Sequence, residues 1–226
     1  HLVSIEAGEE TTITVDPKFL PSENRTKLSF SSLPETDLAP AVESLLDYPY
    51  GCVEQTSSQL LALIAAGHVL SPKRAGSIRP LVQAGISRLW SLQLRSGGLS
   101  YWPGQESAYA WGTAYAAETL LQAKEHGHDI DDRFLSGLTR FLEHELDNSQ
   151  NEDLGTKAAI CCCLSRLKSP PTGWMAVLSE QPGELDMAAR AHLALAWWHA
   201  GRRDEALAAI PADTIDLTSA ESYGER

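Results

Sequence analysis

The hydrophobic rhythm of the chain changes near residue 38. Before it, Leu2-Val-Ser-Ile5, Thr11-Thr-Ile-Thr-Val15 and Lys27-Leu-Ser-Phe30 alternate with period two and are rich in β-branched residues, the pattern of half-buried strands. Ala7-Gly8 and Pro21-Ser-Glu-Asn24 supply turns between them. Three short strands are too few for an independent domain. Residues 1–37 are therefore expected to be the tail of a β domain whose other strands lie upstream. From Ala39 onward the period becomes helical. Helices are expected at 54–69, 76–94, 109–126, 131–146, 154–168, 172–179, 184–200 and 203–210, with Leu81, Ile86 and Leu89 marking one apolar face and Tyr115, Thr119 and Leu120 another. Ser71-Pro72, Ser96-Gly97-Gly98, His126-Gly127-His128, Ser169-Pro170-Pro171 and Gln181-Pro182-Gly183 punctuate them. Short links between helices of similar length predict serial antiparallel hairpins, hence a solenoid or a closed α/α ring. The fold class expected is mostly α: an α/α toroid over 38–226 with a short N-terminal β segment from an adjoining β-sandwich.

Composition narrows the partners. The 226 residues are 43% hydrophobic, enough for a substantial core, and carry a net charge of −12. That balance argues against nucleic acid and anionic membrane surfaces, both of which ask for basic patches. No apolar run approaches the roughly 18 residues of a spanning helix, and no signal peptide is visible. The first residue is His1 rather than Met, which leads us to expect a piece excised from a longer protein.

Cysteine usage is uneven. Cys161, Cys162 and Cys163 are adjacent in a helical stretch. Adjacent helical residues point apart, so a disulfide among them would be strained, and zinc asks for spaced ligands. They read as core filler, and no cofactor or metal is expected. Cys52 is left without an obvious disulfide partner.

Cys52 lies in Tyr48-Pro49-Tyr50-Gly51-Cys52-Val53-Glu54-Gln55. Pro49 and Gly51 turn the chain sharply before the cysteine. The helix starting near Glu54 then places the thiol at its N-terminus, where free amides and the helix dipole stabilise a thiolate. Spacing i to i+3 brings the thiol and the Gln55 carboxamide to one face of the first turn. Displacement of ammonia from Gln55 by the Cys52 sulfur would give an intrachain thioester, an acylating group that survives only while dry; Tyr48 and Tyr50 are candidate shields. A lone Cys/Gln pair at this spacing is ordinarily a buried thiol and a solvated amide. Here Tyr48, Pro49, Gly51, Cys52, Glu54 and Gln55 stand in order, and the string favours the chemical reading.

The octet resembles the thioester site of the alpha-2-macroglobulin and complement family, signature Gly-Cys-x-Glu-Gln, and Tyr-Pro-Tyr looks most like the bacterial branch. Gly97-Gly-Leu-Ser-Tyr-Trp-Pro-Gly104 and Trp111-Gly-Thr-Ala-Tyr115 are similar to a turn and a helix that bacterial members carry. The resemblance covers roughly residues 28–126. It implies a thioester-containing α/α toroid at 38–226, truncated at its C-terminus, preceded over 1–37 by strands of a CUB/macroglobulin-like β domain. It implies a protease inhibitor and not an enzyme: a target protease, triggering exposure from elsewhere in the whole protein, is acylated once through a lysine amine by Cys52–Gln55. Other domains of the full-length macroglobulin would be partners, and the periplasm, with an inner-membrane anchor outside this chain, its location in a complement-like bacterial defence.

Supporting residues follow from the same resemblance. Tyr101, Trp102 and Trp111 are candidate walls of the pocket hiding the bond, with toroid packing about as good an account. Glu54 is read as structural, capping its helix or shaping the loop. Complement proteins redirect the thioester to hydroxyls with a histidine; His144 is the candidate here, while His126 and His128 read as helix end and turn. Two readings of other classes stay open. An α/α-toroid glycosidase, lyase or cyclase has Asp129, Asp131, Asp132, Glu143 and Glu145 available as carboxylates, though their spacing matches no metal box. An inert helical binding scaffold is the other.

Overall fold

The computed structural model describes residues 10, 12, 51–66, 72–148 and 153–210. The chain divides into two compact units, His1–Asp37 and Leu38–Arg226. The three strand segments expected before residue 38 lie, apart from Thr12, outside the described residues, as do Tyr48, Pro49 and Tyr50.

The described part of the second unit is helical: α1 (Val53–Ala66), α2 (Pro72–Ser91), α3 (Ala110–Glu125), α4 (Asp132–Asn148), α5 (Leu154–Arg166), α6 (Thr172–Ser179), a 3-10 turn at Pro182–Glu184, α7 (Met187–His199) and α8 (Arg203–Ala209). Local chemistry sets the boundaries. Pro72 occupies the first position of α2, where its missing N–H costs nothing, so α2 starts four residues earlier than the apolar pattern predicts. Asp153 caps α5 by accepting from the Thr156 amide at 2.8 Å, and Asp186 caps α7 through the Ala189 amide at 2.7 Å.

Alternate helices form two rows. α1, α3, α5 and α7 pack in succession on one another, while α2, α4, α6 and α8 cover the gaps between them. This is the arrangement from which an α/α toroid is built. Sequence explains which helices go inside. Residues Thr156 to Ser165 of α5 are all buried, because a helix apolar all round belongs in the middle. α3 presents Ala110, Gly112, Ala114, Ala116 and Ala117, small residues that let inner helices approach closely. The outer helix α4 is amphipathic, burying Phe134, Leu135, Leu138, Phe141 and Leu142. On α2 the buried face is Ile78, Val82, Ile86 and Leu89. Leu81, expected on that face, is 41% exposed, because it falls one residue out of the 3.6 period set by the other four.

The link from α2 to α3 is not a simple turn. It folds back through isolated bridges pairing Gln93 with Leu99 and Ser100 with Ala108. Gly97 has φ +96°, and a Cβ there would sit 2.2 Å from the Gly137 carbonyl oxygen. The Gln93 amide pins the fold by donating to the carbonyls of Gly97 (2.9 Å) and Phe134 (3.2 Å). The result delivers Tyr101 to the start of α1.

Candidate functional site

Cys52 is the N-cap of α1 and Gln55 its third helical residue, and the two are bonded reciprocally. The Cys52 backbone N–H donates to the Gln55 side-chain carbonyl Oε1 at 3.3 Å, and the Gln55 N–H donates to the Cys52 sulfur at 3.3 Å. This is a capping box with sulfur in the place of a hydroxyl. Helix capping and proximity of the two side chains are therefore the same geometry: the box that satisfies two free amides also holds thiol and carboxamide together. Glu54 does not supply this cap; Gln55 does.

Three contacts fix the mouth of the helix. The Val53 N–H donates to the Tyr101 carbonyl at 3.1 Å. Interaction with the neighbouring Cys52 side chain holds the Tyr101 phenol above its ordinary pKa. Arg88 donates to the Gly51 carbonyl at 3.3 Å. Two glycines make room. A Cβ on Gly51 would lie 2.6 Å from the Thr56 hydroxyl, and one on Gly112 would lie 2.7 Å from the Val53 side chain and 2.5 Å from the Tyr109 ring. Gly112 thus sets how closely α3 passes the start of α1. Cys52 itself is 1% exposed.

Aromatic rings run away from the sulfur in sequence. Trp102 stands edge-on to Tyr101 at 5.7 Å, Tyr101 to Tyr109 at 5.4 Å, Tyr109 lies 6.1 Å from Trp111, and Trp111 stacks on Tyr115 at 5.2 Å. Of the candidate wall residues, Tyr101 is tied by its carbonyl to the start of α1, Trp111 lines a nearby cavity, and Trp102 is 38% exposed at the loop tip. That cavity, of about 450 Å³, is lined among others by Glu54, Tyr109, Trp111, Asp153, Asp186 and His192. Every inner helix contributes its first turns to it, which places the N-termini of α1, α3, α5 and α7 at one end. His144 stays outside this set: it is exposed on the outer helix α4, its carbonyl taken by Asn148 at 2.9 Å. His126 caps the end of α3. Sequence reasoning passed over Tyr109 and His192. The signal available was position, since both fall in the first two turns of inner helices, as Cys52 does. Burial pulls the His192 pKa below its ordinary value, so it lines the cavity as a neutral imidazole at pH 7.

The other three thiols are unlike Cys52. Burial pushes Cys161 and Cys162 up to about 12 and Cys163 well above the ordinary range. All four cysteines are free. Among the described residues, no cluster of three or more His, Cys, Asp or Glu side chains is arranged to hold a metal ion, and no helix is long and apolar enough to cross a membrane.

Sequence relatives agree on one name. Alpha-2-macroglobulin of Escherichia coli (strain K12) is 28% identical over 194 residues, 75% of this chain and 11% of the relative. Alpha-2-macroglobulin of Xylella fastidiosa (strain Temecula1) is 28% identical over 230 residues, 94% of this chain and 14% of the relative. The chain is similar to bacterial alpha-2-macroglobulins over most of its length. It spans only about a seventh or less of these macroglobulins. No family model matches it. Solved macroglobulins share its fold. Native E. coli alpha-2-macroglobulin from domain MG7 to the C-terminus superposes with a TM-score of 0.69 at 22% identity, over 78% of this chain and 30% of that one. Salmonella alpha-2-macroglobulin reacted with methylamine gives 0.68 at 24% identity, over 78% and 13%. Trypsin-activated E. coli alpha-2-macroglobulin gives 0.62 at 23% identity, over 72% and 12%.

Proposed function

We propose that this chain is the thioester-bearing domain of a macroglobulin protease inhibitor, with Cys52 and Gln55 as the bonded pair. The observation that carries the reading is the reciprocal capping box. In forming the bond, the Cys52 sulfur adds to the Gln55 side-chain carbon, the C–N bond breaks, and ammonia leaves with the thiol proton. Charge develops on Gln55 Oε1, the atom that already accepts the Cys52 N–H at 3.3 Å. A donor aimed at that oxygen lowers the barrier in both directions of acyl transfer.

In use, a lysine amine of a bound protease attacks the same carbon. The C–S bond breaks, the thiolate leaves, and the protease remains on residue 55 as an amide. The event happens once per molecule, so the outcome is covalent inhibition without turnover. A trypsin-activated and a methylamine-reacted macroglobulin stand among the structural relatives, which supports proteases and primary amines as the reacting partners. The enzyme alternative loses support at the cavity. None of Asp129, Asp131, Asp132, Glu143 and Glu145 lines it, and two of the carboxylates that do, Asp153 and Asp186, are engaged as helix caps at 2.8 and 2.7 Å.

Incubation of the chain with a fluorescent primary amine tests the reading. Peptide mapping should find the label on residue 55 and one free thiol on Cys52 per label. An unmodified Gln55 with no incorporation would end it.

A further inference from the structure

Resting on the acylating reading above, we propose that Arg88 is a positioning residue for amine attack: its guanidinium holds and polarises the Gly51–Cys52 peptide, whose N–H faces the acyl oxygen. Both ends of that one peptide unit are engaged. Its carbonyl, on Gly51, accepts from Arg88 Nη2 at 3.3 Å. Its N–H, on Cys52, donates to Gln55 Oε1 at 3.3 Å. Oε1 belongs here to a carboxamide and stands in for the carbonyl oxygen of the thioester, because that oxygen stays on the Gln55 carbon when ammonia leaves. A trans peptide is planar, with its C=O and N–H on opposite sides. A bond on one end therefore fixes the direction of the other. Packing brings the arginine to its place. Arg88 lies in the last turn of α2. One turn earlier, Gly85 lets that helix run close to α1: a Cβ there would lie 2.6 Å from the Leu60 side chain. Ile86 and Leu89, on either side of Arg88, are buried and anchor the turn. Arg88 Nε lies 4.0 Å from where a Cβ on Gly51 would sit, so the side chain runs beside the residue whose carbonyl it binds.

The chemistry gives such an arrangement a defined role. The amine nitrogen adds to the Gln55 carbon, and the carbonyl π pair moves to the oxygen, which becomes an anion. The carbonyl then reforms, the C–S electron pair goes to sulfur, and the amine proton goes to solvent. The Cys52 N–H and the guanidinium keep their protons throughout. An anionic oxygen draws a stronger hydrogen bond than a neutral carbonyl. An N–H already aimed at it therefore favours the transition state over the resting thioester. The cation adds to this by polarisation: a charged donor on a peptide carbonyl makes the N–H of the same unit a stronger donor. Arg88 touches neither the acyl carbon nor the sulfur and acts through the peptide alone. A guanidinium stays protonated across the working pH range, so its contribution does not titrate.

The test compares the wild-type chain with Arg88→Met, which keeps the aliphatic stem, and with Arg79→Met as the control. Arg79 lies on the same helix and also donates to a backbone carbonyl, that of Gly127 at 2.9 Å, so the control removes the same charge and the same kind of bond away from the site. Methylamine-driven thiol release should slow by about threefold to tenfold in Arg88→Met and stay unchanged in Arg79→Met. The factor should be the same at every pH from about 7 to 9, since the lost group does not titrate there. Infrared spectra supply the second readout. The thioester carbonyl band, recognised by its shift on carbon-13 glutamine labelling and its loss on methylamine treatment, should move to higher frequency in Arg88→Met, because a weaker donor leaves the C=O more double-bond character. It should hold its place in Arg79→Met. An arginine that only braced the fold would lower the urea midpoint and leave the band where it was. Arg88→Gln, which keeps a polar side chain without the cation, decides the matter if Arg88→Met folds poorly. A release rate and a carbonyl band that match wild type in the Arg88 variants overturn the role of Arg88 alone. A wild-type chain with no thioester band and no thiol released by methylamine overturns the acylating reading, and this role with it.

Discussion

Cys52 and the run Cys161–Cys163 are one residue type in two settings, and the contrast shows what makes a thiol chemical. All four are buried and none is disulfide-bonded. Cys161–Cys163 sit in the second and third turns of α5, where backbone amides are used by the helix and every neighbouring position is buried. Ionisation there is opposed by desolvation, which pushes Cys161 and Cys162 up to about 12 and Cys163 well above the ordinary thiol range. Cys52 is equally hidden but caps a helix, where the Gln55 amide points at its sulfur. Burial withholds water from both sites. Only the helix mouth replaces that water with oriented donors.

The largest expected effect breaks the comparison outright. Cys52→Ala should abolish amine incorporation at residue 55, while Cys161→Ala or Cys163→Ala should leave it intact and cost only about 1–2 kcal/mol of stability through the void created. Incorporation assays and urea denaturation read the two quantities separately. Next is the loop that brings Tyr101 to the mouth. Gly97→Ala forces a left-handed residue against the Gly137 carbonyl and should destabilise by about 3 kcal/mol or more. Gly104→Ala, at φ +82° with open space around it, should cost about 1 kcal/mol.

Smaller effects sharpen the helix-cap half of the argument. Gln55→Ala removes one side of the capping box and should lower stability by about 1 kcal/mol, in addition to preventing the acyl bond. Asp153→Ala, which leaves the α5 amide at Thr156 uncapped, should cost about 1 kcal/mol or less, because the residue is exposed. The bond from the Thr156 amide holds the Asp153 carboxyl below its usual range. Its stabilisation is therefore full above the unfolded value of about 3.9 and is lost as pH falls through the lower folded value. The stability gap between wild type and Asp153→Ala should close below about pH 4 in acid-titrated urea melts.

Much of the helical fold was legible because its signals are local. Apolar period placed all eight described helices, while the caps Asp153 and Asp186 emerged only with the structure. Misplacements gathered on α2: Leu81 falls out of the period set by the buried residues around it, and the helix begins at Pro72, a first-position proline the apolar pattern does not register. The Cys52/Gln55 pair was legible as a motif because both partners lie in one turn. Its mode of contact, a reciprocal cap, follows from backbone donors that residue type alone does not reveal. His144 shows the limit on distant partners. A histidine's place in sequence says nothing about whether its helix is inner or outer, and His192, on an inner helix, is the one the fold brings to the cavity.

The central claim is that Cys52 and Gln55 are covalently joined. The intact mass of the untreated chain tests it most directly. The account predicts a chain lighter than its sequence by one ammonia, and a gain of one methylamine with a new thiol on Cys52 after treatment. A chain of full sequence mass, with Gln55 unmodified and Cys52 open to alkylation from the start, would contradict it.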